Sequence, residues 1–264
     1  MHDAYPEMML RIGAFVSVFA VMAVMEVLMP RRPLTRSKAR RWLTNLGIVV
    51  LNTVLLRIAF PLLAVGIAIM AQMRGWGLFN ITDEPMWLEF ALAIVALDLA
   101  IYLQHVAAHK IPLLWWLHQV HHADPDIDLT TGARFHPLEI ILSMFYKMAV
   151  VLALGAPPWA VVVFEVILNA LAMFNHANFA LPARADALLR RLFVTPDFHR
   201  VHHSVIQRET DSNYGFNLSI WDRLFGTYIA QPAKGHQGME IGLEEYRDKA
   251  PTTLLWCLKQ PFVK

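Results

Sequence analysis

The sequence predicts an all-α protein: an integral membrane bundle of about four to five helical spans, two of them forming a hairpin, with a histidine-rich helical cap on the cytoplasmic side. Three observations carry this. Hydrophobic residues make up 56% of the 264-residue chain and charged residues only 17%, against roughly 25% charged in soluble domains. Several apolar runs are long enough to cross about 30 Å of hydrocarbon as helices. Ten of the twelve histidines fall between His105 and His203. The net charge of +2 gives no sign of a nucleic-acid partner. Cys257, the single cysteine, excludes a disulfide framework and any thiolate-rich metal site, so a metal here must use nitrogen or oxygen ligands.

Residues 8–28 are apolar apart from Arg11 and Glu26 and form the first span. Asp3 and Glu7 stand where a signal peptide would be basic, which favours a retained helix. Arg31, Arg32, Arg36, Lys38, Arg40 and Arg41 then place six cations and no acid in eleven residues. The positive-inside rule puts this short loop in the cytoplasm. Residues 42–73 exceed one perpendicular span and contain Pro61, which predicts a tilted or kinked helix in preference to a re-entrant hairpin. Residues 75–85 are a polar connection on the outer side, and residues 87–102 return the chain inward.

Residues 138–155 and 159–174 are apolar arms joined by Ala156, Pro157 and Pro158, the pattern of a helical hairpin dipping into the membrane. Lys147 and Glu165 lie at similar distances from that turn, so an ion pair between them is expected, because an unpaired charge at this depth is costly. Beyond Ala177 the chain is polar and shows no further span.

His105 and His109 are spaced i, i+4, while His118, His121 and His122 and again His199, His202 and His203 are spaced i, i+3, i+4. Such spacing gathers rings on one helical face. All three groups, with His176 where the hairpin returns, are expected on the cytoplasmic surface, where they can converge. Nine imidazoles are too many for one ion, so two metal ions are implied, and the nitrogen donors suit iron, zinc, manganese or cobalt. His136, ahead of Pro137, is either a further ligand or a helix cap. His2 and His236 are expected to be exposed. Asp98, Asp197 and Asp222 are candidates to accept the second ring N–H of ligating histidines.

His105 with His109 and the two triplets resemble the three histidine boxes of the fatty acid hydroxylase and sterol desaturase superfamily. The likeness extends through Asp98 and Tyr102, Trp115-Trp116-Leu117-His118, Thr195-Pro196-Asp197-Phe198-His199, Asn213-Tyr214-Gly215 and Trp221-Asp222-Arg223-Leu224-Phe225-Gly226-Thr227-Tyr228, covering residues 98–228. One departure is Ala172, four residues before His176, where some lipid hydroxylases of the superfamily have a paired histidine. That departure makes His136 a candidate replacement ligand.

The resemblance implies a non-haem di-iron centre on the eight box histidines and an O2-dependent hydroxylase or desaturase. Its substrate would be a lipid (sterol, carotenoid, acyl or ether lipid). It divides the chain into membrane spans and basic loop (1–90), a catalytic domain (91–230) and a cytoplasmic tail (231–264). No glycine-rich dinucleotide fingerprint is present, so electrons are expected from a separate reductase with a ferredoxin or b-type cytochrome. The basic segment 184–191 could receive such a donor or contact lipid head groups. Two other readings keep the histidines: a zinc-dependent lipid hydrolase, and a non-enzymatic metal-handling membrane protein.

Overall fold

The computed structural model describes residues 4–248 and 250–263, and their architecture follows from where apolar runs are interrupted. The first helix, α1 (Ala4–Leu28), ends as the basic segment begins. Ser37 caps the next, α2 (Lys38–Ala59), its side chain accepting the Arg40 N–H. Phe60 is extended (φ −124°, ψ 113°), as expected before a proline, and the chain resumes as α3 (Ala64–Arg74). Phe60 packs on Phe145 while Gly77 lies against Gly155. The broken helix therefore advances along the hairpin rather than doubling back, as the kinked-span expectation has it.

The return helix α4 (Met86–Lys110) runs past Tyr102 to Lys110, so His105 and His109 lie on its last two turns. Pro112 opens α5 (Pro112–His122). The hairpin is α6 (Pro137–Leu154) and α7 (Pro158–His176), with Pro158 in the first turn of the returning arm. Gly155 (φ 63°) and Gly77 (φ 92°) stand back to back at its tip. A Cβ on Gly77 would sit 2.1 Å from the Gly155 nitrogen, so only glycine lets the α3–α4 connection close on the turn. Short helices α8 (Ala183–Leu189) and α9 (Pro196–His202) follow. Among the described residues there is no strand, only three isolated bridges.

Five segments are long and apolar enough to cross a membrane: Pro6–Leu28, Lys38–Asn80, Met86–Lys110, Pro137–Leu154 and Pro158–His176. The protein is an integral membrane protein, all-helical as the composition predicts. The end of α1, the starts of α2 and α6, and the ends of α4 and α7 meet at one end of the bundle, where the histidines gather. Glu26 accepts the backbone N–H groups of Leu129 (2.7 Å) and Asn178 (2.9 Å) and binds Lys38 at 3.0 Å.

The basic segment is stitched into this cap rather than solvated. Arg31 pairs with Asp197 (2.9 Å), and Arg32 donates to the carbonyls of His236 and Met239. That anchorage buries His236 beside Asp197 (3.6 Å), correcting the expectation that it is exposed. Burial pushes its pKa down to about 4. His2 lies outside the described residues.

Lys147 and Glu165 form the expected ion pair across the hairpin, and α1 adds a third member, Arg11, whose Nη2 is 2.8 Å from the other Glu165 oxygen. Glu165→Gln leaves two cations without their shared carboxylate, whereas Lys147→Met leaves Glu165 balanced by Arg11. The first is expected to destabilise by about 1–3 kcal/mol more than the second. Thermal unfolding in detergent measures this, and equal losses would count against a three-membered network.

Candidate metal centre

Nine histidines converge in two adjacent groups. His105, His109, His118, His122 and His202 form one, and His121, His176, His199 and His203 the other; within each group, one ring nitrogen per residue lies within 4.8 Å of all the rest. The triplets do not each face one point. At about 100° per residue, i and i+4 are some 40° apart around a helix, whereas i+3 points well to the side. So His118 and His122 join the first group and His121 the second, while His199 and His203 join the second and His202 the first. The two triplets interleave, and the groups share a wall in which His122 stacks on His203 at 4.6 Å between ring centroids.

Backbone carbonyls and one carboxylate fix the rings. His105 Nδ1 is 2.7 Å from the Tyr214 carbonyl, His202 Nδ1 2.7 Å from that of Ser212, and His176 Nδ1 2.8 Å from that of Ala172. His118 Nδ1 is 2.6 Å from Glu139 Oε1. An N–H donated there leaves Nε2 of each ring as a lone pair turned into the cluster. The Asn213-Tyr214-Gly215 motif has its reason here. Asn213 is held left-handed (φ 48°), and Asp222 accepts the N–H groups of Tyr214 (2.8 Å) and Gly215 (2.7 Å). This aims the Ser212 and Tyr214 carbonyls at the rings. A Cβ on Gly215 would come within 2.7 Å of the Asp222 carboxylate.

The three aspartates predicted to accept ring N–H groups do other work. Asp98 accepts the Trp221 indole N–H (2.8 Å), Asp197 binds Arg31 and Arg200, and Asp222 acts through the backbone just described. Glu139, which does meet a histidine, was missed by the sequence reading. His136 is not brought to either group. Its Nδ1 accepts the Leu138 N–H at 3.2 Å, capping α6, and its Nε2 faces the Leu258 carbonyl at 3.3 Å. Of the two roles the sequence leaves open for His136, the structure shows the cap. Within the basic segment 184–191, Arg190 is buried against Asp186 (2.5 Å) and the Ala230 carbonyl, leaving Arg184 and Arg191 exposed.

The donor set fits a pair of metal ions. Burial, with neighbouring imidazoles second, holds His121, His122, His199 and His203 well below the ordinary histidine range, and burial takes His202 down to about 3. Burial thus favours the neutral form of these rings, the form that offers a lone pair. Nitrogens of His105, His109, His118, His122 and His202 are buried without hydrogen-bond partners, an arrangement that costs free energy unless something else answers the lone pairs. In the second group the His176 Nε2 lone pair faces ring nitrogens of His199 at 3.1 Å and His121 at 3.2 Å. Converging lone pairs repel one another and attract a cation.

A cavity of about 570 Å³ leads to the first group. Its histidine end is lined by His105, His118, Phe135 and Phe216, and it passes between the spans to Lys147, Glu165 and Arg11. Exposed Phe15 of α1 and Thr53 of α2 also line it, so it opens sideways between those helices.

Residues 90–227 match a family model described as fatty acid hydroxylase. An ornithine lipid hydroxylase from Rhizobium tropici is 26% identical over 94% of this chain and 74% of its own length. The alkylglycerol monooxygenase of Homo sapiens is 33% identical over 63% of this chain and 36% of its own length. A cholesterol 25-hydroxylase-like protein from Danio rerio is 26% identical over 53% of this chain and 55% of its own. The match thus spans about three quarters of the bacterial relative but only about a third of the human one. No solved structure matches the chain. The matched region takes in over half of the chain and all nine clustered histidines, and the chain belongs to the fatty acid hydroxylase family.

Proposed function

We propose that the protein is a membrane-bound oxygenase that hydroxylates or desaturates a lipid, using two iron ions held by the nine clustered histidines. The observation that carries this is the cavity. It opens between membrane helices, is walled mainly by apolar side chains, and ends on His105 and His118, whose free ring nitrogens belong to the first group. The relatives named above act on an ornithine lipid, an alkylglycerol and a sterol-type substrate by name, and their names favour hydroxylation over desaturation.

When bound, the iron pair supplies electrons to O2 at one place, which an unactivated C–H bond requires. The chain's own residues do the rest. Glu139 and the carbonyls of Tyr214, Ser212 and Ala172 hold the rings in the tautomer that leaves Nε2 free. Phe135 and Phe216 shield that end of the cavity, and Phe135 stacks on His121 at 4.5 Å. The basic segment from Arg31 to Arg41 lies at the same end of the bundle as the histidines, which supports a cytoplasmic cap by the positive-inside rule. Reducing equivalents would reach it from a separate reductase with a ferredoxin or b-type cytochrome.

Anaerobic purification with metal analysis and Mössbauer spectroscopy, before and after exposure to O2, tests the reading. Two coupled irons that change with O2 are expected; stoichiometric zinc from native cells would replace the proposal with metal-assisted hydrolysis. Glu139→Gln should weaken iron retention about 10–100-fold, read as iron per chain after challenge with graded chelator. Unchanged retention would remove Glu139 from the supporting role.

A further inference from the structure

The cavity does not end in hydrocarbon. Its far end carries Arg11 and Lys147 with Glu165, at membrane depth, and Arg57 lines the same cavity. Lys147 is eight residues beyond Glu139 on α6, so at 1.5 Å per residue this end lies about 12 Å along the helix from the histidine end. Ionisable groups at such depth are expensive and normally face a partner or a ligand path.

The charges here are only partly matched. Arg11 contacts Glu7 (2.8 Å) and Glu165 (2.8 Å), and Lys147 contacts Glu165. Arg57 makes no ion pair among the described residues and is exposed on α2 where that helix borders the opening. Three cations against Glu7 and Glu165 leave one positive charge in excess. Glu165 has both oxygens engaged, whereas Lys147 keeps two N–H donors and Arg57 keeps its whole guanidinium. The surplus at this end is of donors and positive charge. At the histidine end it is of acceptors: Asn52 donates to the Phe135 carbonyl at 2.9 Å, which fixes its amide and leaves Oδ1 buried and unpaired, and Gln104 Oε1 is likewise unpaired. Both line the cavity.

We propose that the Arg11–Arg57–Lys147 end of the cavity binds the oxyanion of an amphiphilic substrate, a carboxylate or a phosphate, while its hydrocarbon runs toward His105 and His118. This rests on the oxygenase reading for the word substrate and narrows it: an anionic lipid fits, and an uncharged sterol or carotenoid hydrocarbon leaves the cations unanswered. Arg57, at the lateral opening, meets the anion first, and Lys147 holds it further in. Charge-assisted bonds to guanidinium and ammonium groups away from bulk water supply the preference.

The test is equilibrium binding to the full-length protein in neutral detergent at mildly alkaline pH, with dodecanoate, dodecyl phosphate and dodecanol as probes. It is run on metal-loaded and chelator-treated samples. Both anions are expected to bind at least about tenfold tighter than the alcohol. Arg57→Gln and Lys147→Gln should each remove most of that preference while leaving dodecanol binding unchanged. Arg57 has no ion-pair partner to lose among the described residues, so its variant is informative even if Lys147→Gln folds poorly. Stronger binding of dodecanoate would assign the site to a free acyl chain, and of dodecyl phosphate to a phosphate-headed lipid. Equal affinity for all three probes, or an anion preference that survives Arg57→Gln and any folded Lys147→Gln, overturns the proposal. Binding does not depend on iron or turnover, so its failure in an iron-loaded, O2-responsive protein would sink this inference alone. Absence of iron would sink the oxygenase reading and leave the binding result standing.

Discussion

Replacing His176 by alanine is expected to abolish turnover and to release one metal ion per chain, whereas His109→Ala is expected to retain both ions. The difference follows from the sizes of the two groups. His121, His176, His199 and His203 number four, the usual complement of a tightly held ion, and removing one leaves three. The other group has five members, so losing His109 still leaves four. His109 is also the least anchored of them: neither ring nitrogen has a hydrogen-bond partner, and the nearest carboxylate, Asp211, is 3.5 Å from Nδ1. His176 sits between His121 and His199 with its Nδ1 fixed on the Ala172 carbonyl. Losing an outer partner of a ligand costs about 10–100-fold in affinity, and losing the ligand itself from a four-membered set should cost at least the upper end of that range. Metal per chain and turnover, measured on both variants after dialysis against chelator, decide it. Equal retention by the two would mean that the histidines do not divide between ions as their geometry divides them.

That division could not be read from spacing alone. The i, i+3, i+4 pattern says that three rings share roughly one side of a helix, and a single sequence offers no way to see that two such helices face each other and deal their rings alternately to two centres. The five spans, the hairpin at Pro157 and Pro158, and the depth match of Lys147 with Glu165 were legible, because hydrophobic run length, proline and distance from a turn are local quantities. What was not legible lies across elements. Arg11 reaches Glu165 from a helix more than a hundred residues away in sequence. The acceptors for the ring N–H groups are mostly backbone carbonyls, which carry no sequence signature. Glu139 had a faint signal, a carboxylate one turn after the capping His136, but nothing in the order of residues ties it to His118. Asp98, Asp197 and Asp222 were read as partners of histidines because a carboxylate is a common acceptor for the second ring N–H of a ligating histidine. Folding gives them to an indole, to arginines and to a turn instead.

Arg41→Met is expected to cost most of the protein's stability, although Arg41 touches no histidine. Its guanidinium is fully buried between Asp124 (2.7 and 2.8 Å) and Asp128 (2.6 Å), and it donates to the Asp126 carbonyl at 3.1 Å. These aspartates follow directly on His121 and His122, so the arginine ties α2 to the segment that leaves the metal centre. Asp124 is held below the usual carboxylate range: burial would raise it, but the charge and hydrogen bonds of Arg41, with Arg134 and Thr131, together outweigh that effect. Removing the cation leaves two buried carboxylates with too few donors, and breaking a buried pair from one side costs about 3–5 kcal/mol. Asp124 then either protonates or draws water into the cap, and either response loosens the end of α5 that carries His121 and His122. Two readouts should therefore move together: a large fall in the thermal midpoint in detergent, and loss of metal from both groups, since His121 and His122 belong to different ones. Arg41→Lys keeps the charge but cannot span Asp124 and Asp128 with a planar fork, so it should recover only part of the loss. An Arg41→Met protein that unfolds at the parent temperature with both metals retained would show that the cap is held elsewhere. One candidate for that role is Arg134, which reaches Asn45 on α2 at 2.9 Å and the Val120 carbonyl at 2.8 Å.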